Sequence, residues 1–335
     1  MSRFVLKRIV LLLPTLAGIS LLVFAMLYLV PGDPAQVMLG ERANAETLAA
    51  LRQEMGLDQP FHVQFGRFVA GLLRGDLGRS IRTHERVTVE VLQRFPATCE
   101  LTLASMALAI CGGIAAGVFA AVRRGRAIDY ISMVAATAGI SIPIFWLALM
   151  LIMVFSVFVP LFPVSGRLST EVLLAPITGV YTLDALLRAD ARAFGNALWH
   201  LCLPALTLST VPMAVIARMT RASLLEVLGQ DYIRTAWAKG LDERAVVLRH
   251  ALKNAFIPTL TVIALEFGYL LGGAIITETV FAWPGVGRWL LLAVQARDFR
   301  AVQGGVLLLA TVFIVINLLA DILYAWLDPR IRYDA

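Results

Sequence analysis

Charge is what this 335-residue chain has least of: only 16% of its residues are Asp, Glu, Lys or Arg, where a soluble globular chain carries about 25%. Cysteine is nearly absent. Cys99, Cys111 and Cys202 lie in or beside apolar runs, and an odd count so placed argues against a disulfide framework. His62, His84, His200 and His250 are far apart with no ligand-like spacing, so a metal site has no support. No Gly-x-x-x-x-Gly-Lys-Ser/Thr occurs, and Gly285-Val286-Gly287 lacks the third glycine and precedes Arg288-Trp289. That segment reads as a turn, and the chain has no phosphate cradle of its own. The net charge is +6, but no basic cluster is interleaved with aromatics, which excludes nucleic acid as a partner. An intramembrane enzyme would need a positioned nucleophile, base or metal cluster, and none is visible.

What is abundant is apolar sequence: 59% of residues, with a mean hydropathy of +0.79, gathered into long uncharged runs. About 20 such residues cross a bilayer core as a helix rising about 1.5 Å per residue. The runs predict about six transmembrane helices and an all-α membrane protein. The first covers Ile9–Val30, behind Arg3, Lys7 and Arg8. It is too long for a signal-peptide core and lacks a small-x-small cleavage site before Pro31, so it reads as a retained span. The others cover about Leu101–Val122, Ser132–Phe155, Trp199–Ala217, Phe256–Thr277 and Val302–Leu327. Pro143, Pro160 and Pro163 interrupt the third stretch, because proline lacks an amide donor and clashes with the preceding turn.

Basic residues orient the chain. With both ends in the cytoplasm, all three lysines, the Arg123/Arg124/Arg126 group, Arg218, Arg221 and Arg330 fall inside. Arginines outside are concentrated in the long 31–98 segment, where acids offset them, and long translocated segments count little. N-in, C-in is the expected topology. The organisation follows: residues 1–30 as a cytoplasmic tail and first span, 31–98 as an extracytoplasmic segment, and 99–335 as a membrane core with a cytoplasmic loop at about 218–256. The outer segment carries a helical stretch near Ala45–Glu54 and an apolar-periodic one near Phe61–Leu73.

In the cytoplasmic loop, Leu224, Leu225, Leu228 and Tyr232 share one helical face. Gly240 supplies a left-handed helix stop and Asp242 a cap for the next helix, which would carry Ala245, Leu248 and Leu252 on one face until Pro258. On pattern alone this hairpin also suits an amphipathic element lying on lipid. The stretch Asp231-Tyr232-Ile233-Arg234-Thr235-Ala236-Trp237-Ala238-Lys239-Gly240-Leu241 resembles the cytoplasmic loop of ATP-binding-cassette (ABC) importer permeases, and more closely their dipeptide/oligopeptide branch. The generic Glu-Ala-Ala…Gly motif here reads Arg234-Thr235-Ala236 and Gly240, without the glutamate, as suits the peptide branch. Further matches run in order along nearly the whole chain: Pro31-Gly32-Asp33-Pro34, Gly56-Leu57-Asp58-Gln59-Pro60, Gly75-Asp76-Leu77-Gly78-Arg79-Ser80, Ser141-Ile142-Pro143-Ile144-Phe145-Trp146, Glu278-Thr279-Val280-Phe281-Ala282-Trp283-Pro284-Gly285-Val286-Gly287 and Asp328-Pro329-Arg330.

The resemblance implies a type I importer permease in the bacterial cytoplasmic (inner) membrane, forming half of a translocation pathway for dipeptides or short oligopeptides. It also implies a second homologous permease, two ATPase subunits that use ATP and Mg, and an extracytoplasmic solute-binding protein. This chain would hold no cofactor and do no catalysis. Asp231, Tyr232, Arg234, Thr235, Ala236, Lys239, Gly240 and Asp242 would form the loop that couples it to an ATPase. The same branch serves glutathione and nickel chelates, which stay open as alternatives. An ion-coupled secondary transporter is a further reading, but it predicts inverted internal repeats that are not visible.

Two carboxylates lie within expected spans. Glu266 is about ten residues into the fifth, roughly 15 Å deep, and Asp321 is in the sixth. A carboxylate in the membrane is costly unless it faces water or a partner, so each is a functional candidate against the alternative of fixing helix packing. For Asp321 packing is the favoured reading. Glu266, with Gly272 and Gly273 leaving room beside it, is a candidate for the translocation path. Gly113-x-x-x-Gly117 and Gly268-x-x-x-Gly272 predict close helix packing.

Overall fold

The computed structural model describes residues 2–29, 34–39 and 44–327, with side-chain surroundings left undescribed at 2–9, 27, 34, 37, 38, 51, 54, 55, 271–273 and 319–327. The Pro31–Asp33 and Asp328–Arg330 parts of two sequence motifs lie outside the described residues. Among them the chain forms α-helices and no strand beyond an isolated bridge between Arg79 and Arg86. In order these are α1 (Ser2–Leu29), α2 (Pro34–Leu39), α3 (Ala45–Met55), α4 (Phe61–Leu73), α5 (Val87–Val122), α6 (Ala127–Ser141), α7 (Ile144–Ile152), α8 (Tyr181–Leu187), α9 (Ala191–Leu228), α10 (Asp231–Ala238), α11 (Leu252–Val280), α12 (Val286–Gln295) and α13 (Phe299–Leu327). Met153–Phe158 continues α7, and Ala245–Ala251 leads into α11, in π-helical form.

Three helices are long and apolar enough to cross a membrane alone: Val87–Val122, Ala191–Leu228 and Phe299–Leu318. Two broken pairs, Ala127–Ser141 with Ile144–Phe158 and Ala245–Leu270 with Ala274–Val280, bring the number to five, and Val10–Met26 of α1 is a shorter apolar helix. The third expected span is not one rod. α6 and α7 meet at 105°, because Pro143 holds itself and Ile142 in extended conformation and disfavours a helical residue before it. Each arm has fifteen residues, about 22 Å at 1.5 Å per residue, so neither arm alone reaches across a core of about 30 Å.

The fold divides into two compact units, Met1–Pro96 with Pro284–Ala335, and Ala97–Trp283. In the first, Phe24 and Tyr28 of α1 meet Phe61, Phe65 and Phe68 of α4 at ring-centroid distances of 5.2–5.5 Å. α3 is closed at its start by Asn44, which accepts from the Thr47 amide at 2.8 Å, and at its end by Gly56 at φ +70°, a left-handed position that glycine fills without strain. Asp298 fastens the outer segment to α13. Its Oδ1 accepts from the Ala301 amide at 3.1 Å, and its Oδ2 accepts from Ser80 Oγ at 2.5 Å and the Arg82 amide at 3.3 Å. Beneath this clasp Val87, Val91, Val286, Trp289, Leu290, Ala293 and Ala301 form the core.

In the second unit α9 is the most buried of the apolar helices. The glycine pair works as expected. A Cβ on Gly113 would strike Ile216 and the Met213 carbonyl, and one on Gly117 the Ala217 carbonyl and Thr220, so α5 and α9 touch backbone to backbone. At one end of this contact Arg221 binds Asp129 in a fork, Nε to Oδ1 at 2.6 Å and Nη2 to Oδ2 at 2.8 Å. At the other end the irregular 159–180 segment is held from within. The Arg167 guanidinium bonds Glu100, its Nη2 donates to the Gly179 carbonyl at 2.8 Å, and it stacks 3.7 Å above the Tyr181 ring and 5.4 Å from Trp283. Glu100 Oε1 also accepts from the Thr182 amide and hydroxyl at 2.7 and 2.8 Å. Removing one member of such a buried pair strands the other, at a cost of about 3–5 kcal/mol. Glu100→Ala and Arg167→Met should each lower the unfolding temperature of the detergent-solubilised protein. A double variant losing much less than the sum of the two would establish the coupling, and full additivity would refute it.

Asp184 anchors the same segment by accepting from the Thr178 amide and hydroxyl and the Gly179 amide at 2.6–3.0 Å. Burial alone would push its carboxyl up, but these bonds outweigh burial and hold it below the usual carboxylate value. A depressed folded-state value means that ionised Asp184 stabilises the fold above about pH 4 and that this contribution fades as pH falls further. The stability gap between wild type and Asp184→Asn should therefore be full at pH 6 and shrink below pH 4. A gap independent of pH would show that the carboxylate charge is irrelevant.

Candidate functional site

α10 is a short amphipathic helix isolated by two breaks. α9 ends at Leu228, and Gly240, at φ +75°, ends α10 in the left-handed conformation predicted for it. Ile233 and Ala236 are buried, packed with Leu224, Ala121, Val246, Val247, Ala251 and Ala255. Asp231, Tyr232, Arg234, Thr235, Trp237, Ala238 and Lys239 are exposed. The structure thus places the predicted Asp231, Tyr232, Arg234, Thr235 and Ala236 on α10, with Ala236 turned inward as support, Lys239 and Gly240 at its end and Asp242 beyond it. Arg234 and Asp231 pair at 3.2 Å on the open face, where such a pair contributes little. Tyr232 is oriented by Asn254 Nδ2, which donates to its hydroxyl at 2.7 Å. Asp242 Oδ2 accepts from the Ala245 amide at 3.4 Å, the cap expected of it.

Three local expectations fail, each for a geometric reason. Tyr232 does not share a face with Leu224 and Leu228, because the chain turns at Gly229–Gln230 and starts a new helix. The face Ala245/Leu248/Leu252 is not the buried one: Leu248 is 57% exposed, while Val246, Val247 and Ala251 are buried. That segment is π-helical, and its wider turn shifts the phase that 3.6-residue spacing assumes. Nor does Pro258 end the helix, for it lies inside α11. The signal for the exposed surface was also larger than the predicted set. Trp237 at 45% exposure and Leu241 at 37% add apolar area to a face otherwise carrying Arg234 and Lys239.

Glu266 lies in α11, at the edge between two faces. Ile263, Leu270 and Ala274 are buried in the main core, whereas Ile257, Leu265, Tyr269 and Ile276 are exposed. Its Oε2 is buried and accepts no hydrogen bond. The surroundings of Gly272 and Gly273, and the side chain of Asp321, lie outside the described residues. Among the described residues no group of three or more His, Cys, Asp or Glu is placed to hold a metal ion.

Sequence reasoning missed a second buried carboxylate in α11. Glu278 Oε1 accepts from Thr98 Oγ1 at 2.6 Å, and next to it the Trp283 indole donates to the Ala97 carbonyl at 2.8 Å. The expected spans stop at Thr277 and start at Leu101, leaving Glu278 and Glu100 one residue outside. Their helices in fact extend to Val280 and begin at Val87. An acid immediately flanking an apolar run was the available signal.

Comparison with known proteins bears on the chain as a whole. Residues 113–333 match the binding-protein-dependent transport system inner membrane component family, and residues 1–102 match the N-terminal portion of such membrane components. The chain is 49% identical over 337 residues to the dipeptide transport system permease protein of Escherichia coli (strain K12), covering 99% of each. It is 49% identical over 335 residues, all of both chains, to the di/tripeptide transport system permease protein of Pseudomonas aeruginosa (strain UCBPP-PA14). It is 43% identical over 333 residues to the glutathione transport system permease protein of Salmonella paratyphi A, covering 99% of this chain and all of the relative. With family matches over most of its length and relatives this similar from end to end, the chain belongs to the binding-protein-dependent transport system inner membrane components.

Proposed function

We propose that this inner-membrane protein is the permease subunit of an ABC importer for dipeptides. The observation that carries the reading is the 49% identity along the whole chain to permeases named for dipeptide and di/tripeptide transport. In this reading the chain crosses the membrane about six times with both ends in the cytoplasm. A second, homologous permease completes the pathway, two ATPase subunits bind inside, and an extracytoplasmic solute-binding protein delivers the peptide. ATP and Mg belong to the ATPase subunits, and this chain contributes no catalysis. Glutathione is the second reading, supported by the relative of that name. ATP-dependent uptake of a labelled dipeptide, in proteoliposomes holding the chain with its ATPases and receptor, tests the assignment. Uptake that persists without ATP would favour an ion-coupled transporter instead.

α10 is the proposed contact with an ATPase. Its exposed Tyr232, Arg234 and Trp237 are of the residue types enriched at protein interfaces, and Lys239 adds positive charge. Its buried Ile233 and Ala236 fix it to the π-helical segment and the end of α9. A short helix so anchored moves as a rigid body with what it is packed on. Because Trp237 is exposed, Trp237→Ala should leave folding intact and lower peptide-stimulated ATP hydrolysis and uptake by about tenfold, the loss expected of an interface anchor. Gly240→Pro, which cannot adopt φ +75°, should uncouple hydrolysis from uptake. Normal coupling in both variants would move the contact elsewhere.

A further inference from the structure

Every strongly buried carboxylate among the described residues has a partner. Glu90 meets Arg94 and the Trp289 indole, Glu100 meets Arg167 and Thr182, and Asp129 meets Arg221. Asp184 meets Thr178, Glu278 meets Thr98, and Asp298 meets Ser80. Glu266 is only half-buried, yet among the described residues its Oε2 is the one enclosed carboxylate oxygen that accepts nothing. A membrane-embedded acid in that state is costly, and such residues point to a partner outside their own helix.

The side of α11 on which that partner arrives follows from helical spacing. Ile257, Thr261, Leu265 and Tyr269 recur every four residues and are all exposed. Within its unit this strip has no covering element. Glu266 lies between the strip and the packed residues Ile263 and Leu270, three residues before Tyr269 and therefore beside it on the helix surface. Glu266 is half-buried at the border of this open apolar face, with Oε2 enclosed by the chain itself, so a donor arriving on the open side meets Oε2 only when the side chain or α11 turns outward.

We propose that Glu266 is the acceptor for the free ammonium group of the peptide as it passes through the membrane. This rests on the dipeptide reading. Dipeptides, tripeptides and glutathione, the solutes named for the similar permeases, share a primary ammonium, the charge complementary to an unpaired carboxylate. The ammonium loses its water on entering the membrane just where Glu266 lacks a donor, so one charge-assisted bond satisfies both groups. The apolar residues of the strip make no demand on the peptide side chains, leaving the invariant ammonium as the feature that is recognised.

The test uses the full reconstituted complex with receptor present at saturation, so that capture outside the membrane is not limiting. Peptide uptake and ATP hydrolysis are measured together for wild type, Glu266→Gln and Glu266→Asp, with subunit composition checked for each. Glu266→Gln should lower the peptides moved per ATP by roughly tenfold, the loss expected for one charged hydrogen bond, in a complex of unchanged composition. Glu266→Asp, which keeps the charge, should retain most of the transport. Wild-type transport per ATP in Glu266→Gln, or equal losses in Gln and Asp variants, would overturn the proposal and make the residue a packing element. Loss of the second permease from the Glu266→Gln complex would also overturn it, assigning the missing donor to that subunit. A wild-type complex that takes up no dipeptide would overturn the dipeptide reading itself, a result distinct from all of these.

Discussion

A carboxylate removed from water must find a donor, and in this protein that requirement holds the irregular parts of the chain in place. The apolar helices bury little that is specific, since one aliphatic face resembles another. The ion pairs and hydrogen bonds of the buried carboxylates are specific. Glu100 and Arg167 select one arrangement of the 159–180 segment over α5, and Asp184 closes the turn beside it. Asp298 selects the position of the 76–86 segment on α13, and Asp129 fixes the turn between α5 and α6 to Arg221 of α9. Buried ion pairs are weak contributors to net stability compared with apolar packing, but breaking one is expensive. Their effect here is to make alternative placements of the connecting segments unfavourable.

The long helices, the helical first apolar segment, α3, α4 and the glycine stop at Gly240 were all legible in the sequence. Each depends on local spacing or on one residue's conformational freedom. The glycine pair on α5 was legible for a similar reason: small residues four apart present a flat surface whatever the partner. The broken α6–α7 span was half legible. Pro143 marked the place, but the 105° angle depends on what each arm packs against. The phase of the 245–251 segment was not legible, because π-helical winding is a tertiary compromise that leaves no mark in composition. The partners of Glu100, Glu278 and Asp298 were equally hidden. Thr98 lies 180 residues from Glu278, and Ser80 lies 218 from Asp298, so nothing local announces either contact.

Of the candidate site, the loop residues were found by their order and their likeness to a family, while their division into anchor and surface needed coordinates. Ala236 and Thr235 are neighbours in sequence with opposite roles, one buried against the 245–255 segment and one exposed. Glu266 was found by charge alone. What charge could not give is the contrast that makes it informative, namely that the other buried acids are satisfied and Glu266 Oε2 is not.

The two places this unit leaves open are chemically opposite and joined by one continuous stretch of chain. α10 presents aromatic and cationic side chains, and α11 presents an unpaired acid. Between them the π-helical segment packs its Val246, Val247 and Ala251 against Ile233 and Ala236 of α10 and runs without a break into α11. Glu266 follows Leu252 along the same helix by roughly 21 Å, at about 1.5 Å per residue. Packed interiors transmit displacement because they resist compression. A shift of α10 by a subunit bound to it would therefore carry the base of α11, and with it the orientation of the face that holds Glu266. If Glu266 accepts the peptide as proposed, release requires that its affinity for the peptide differ between the two states. A carboxylate at the border between a packed face and an open one would give that difference through a small rotation of a single helix.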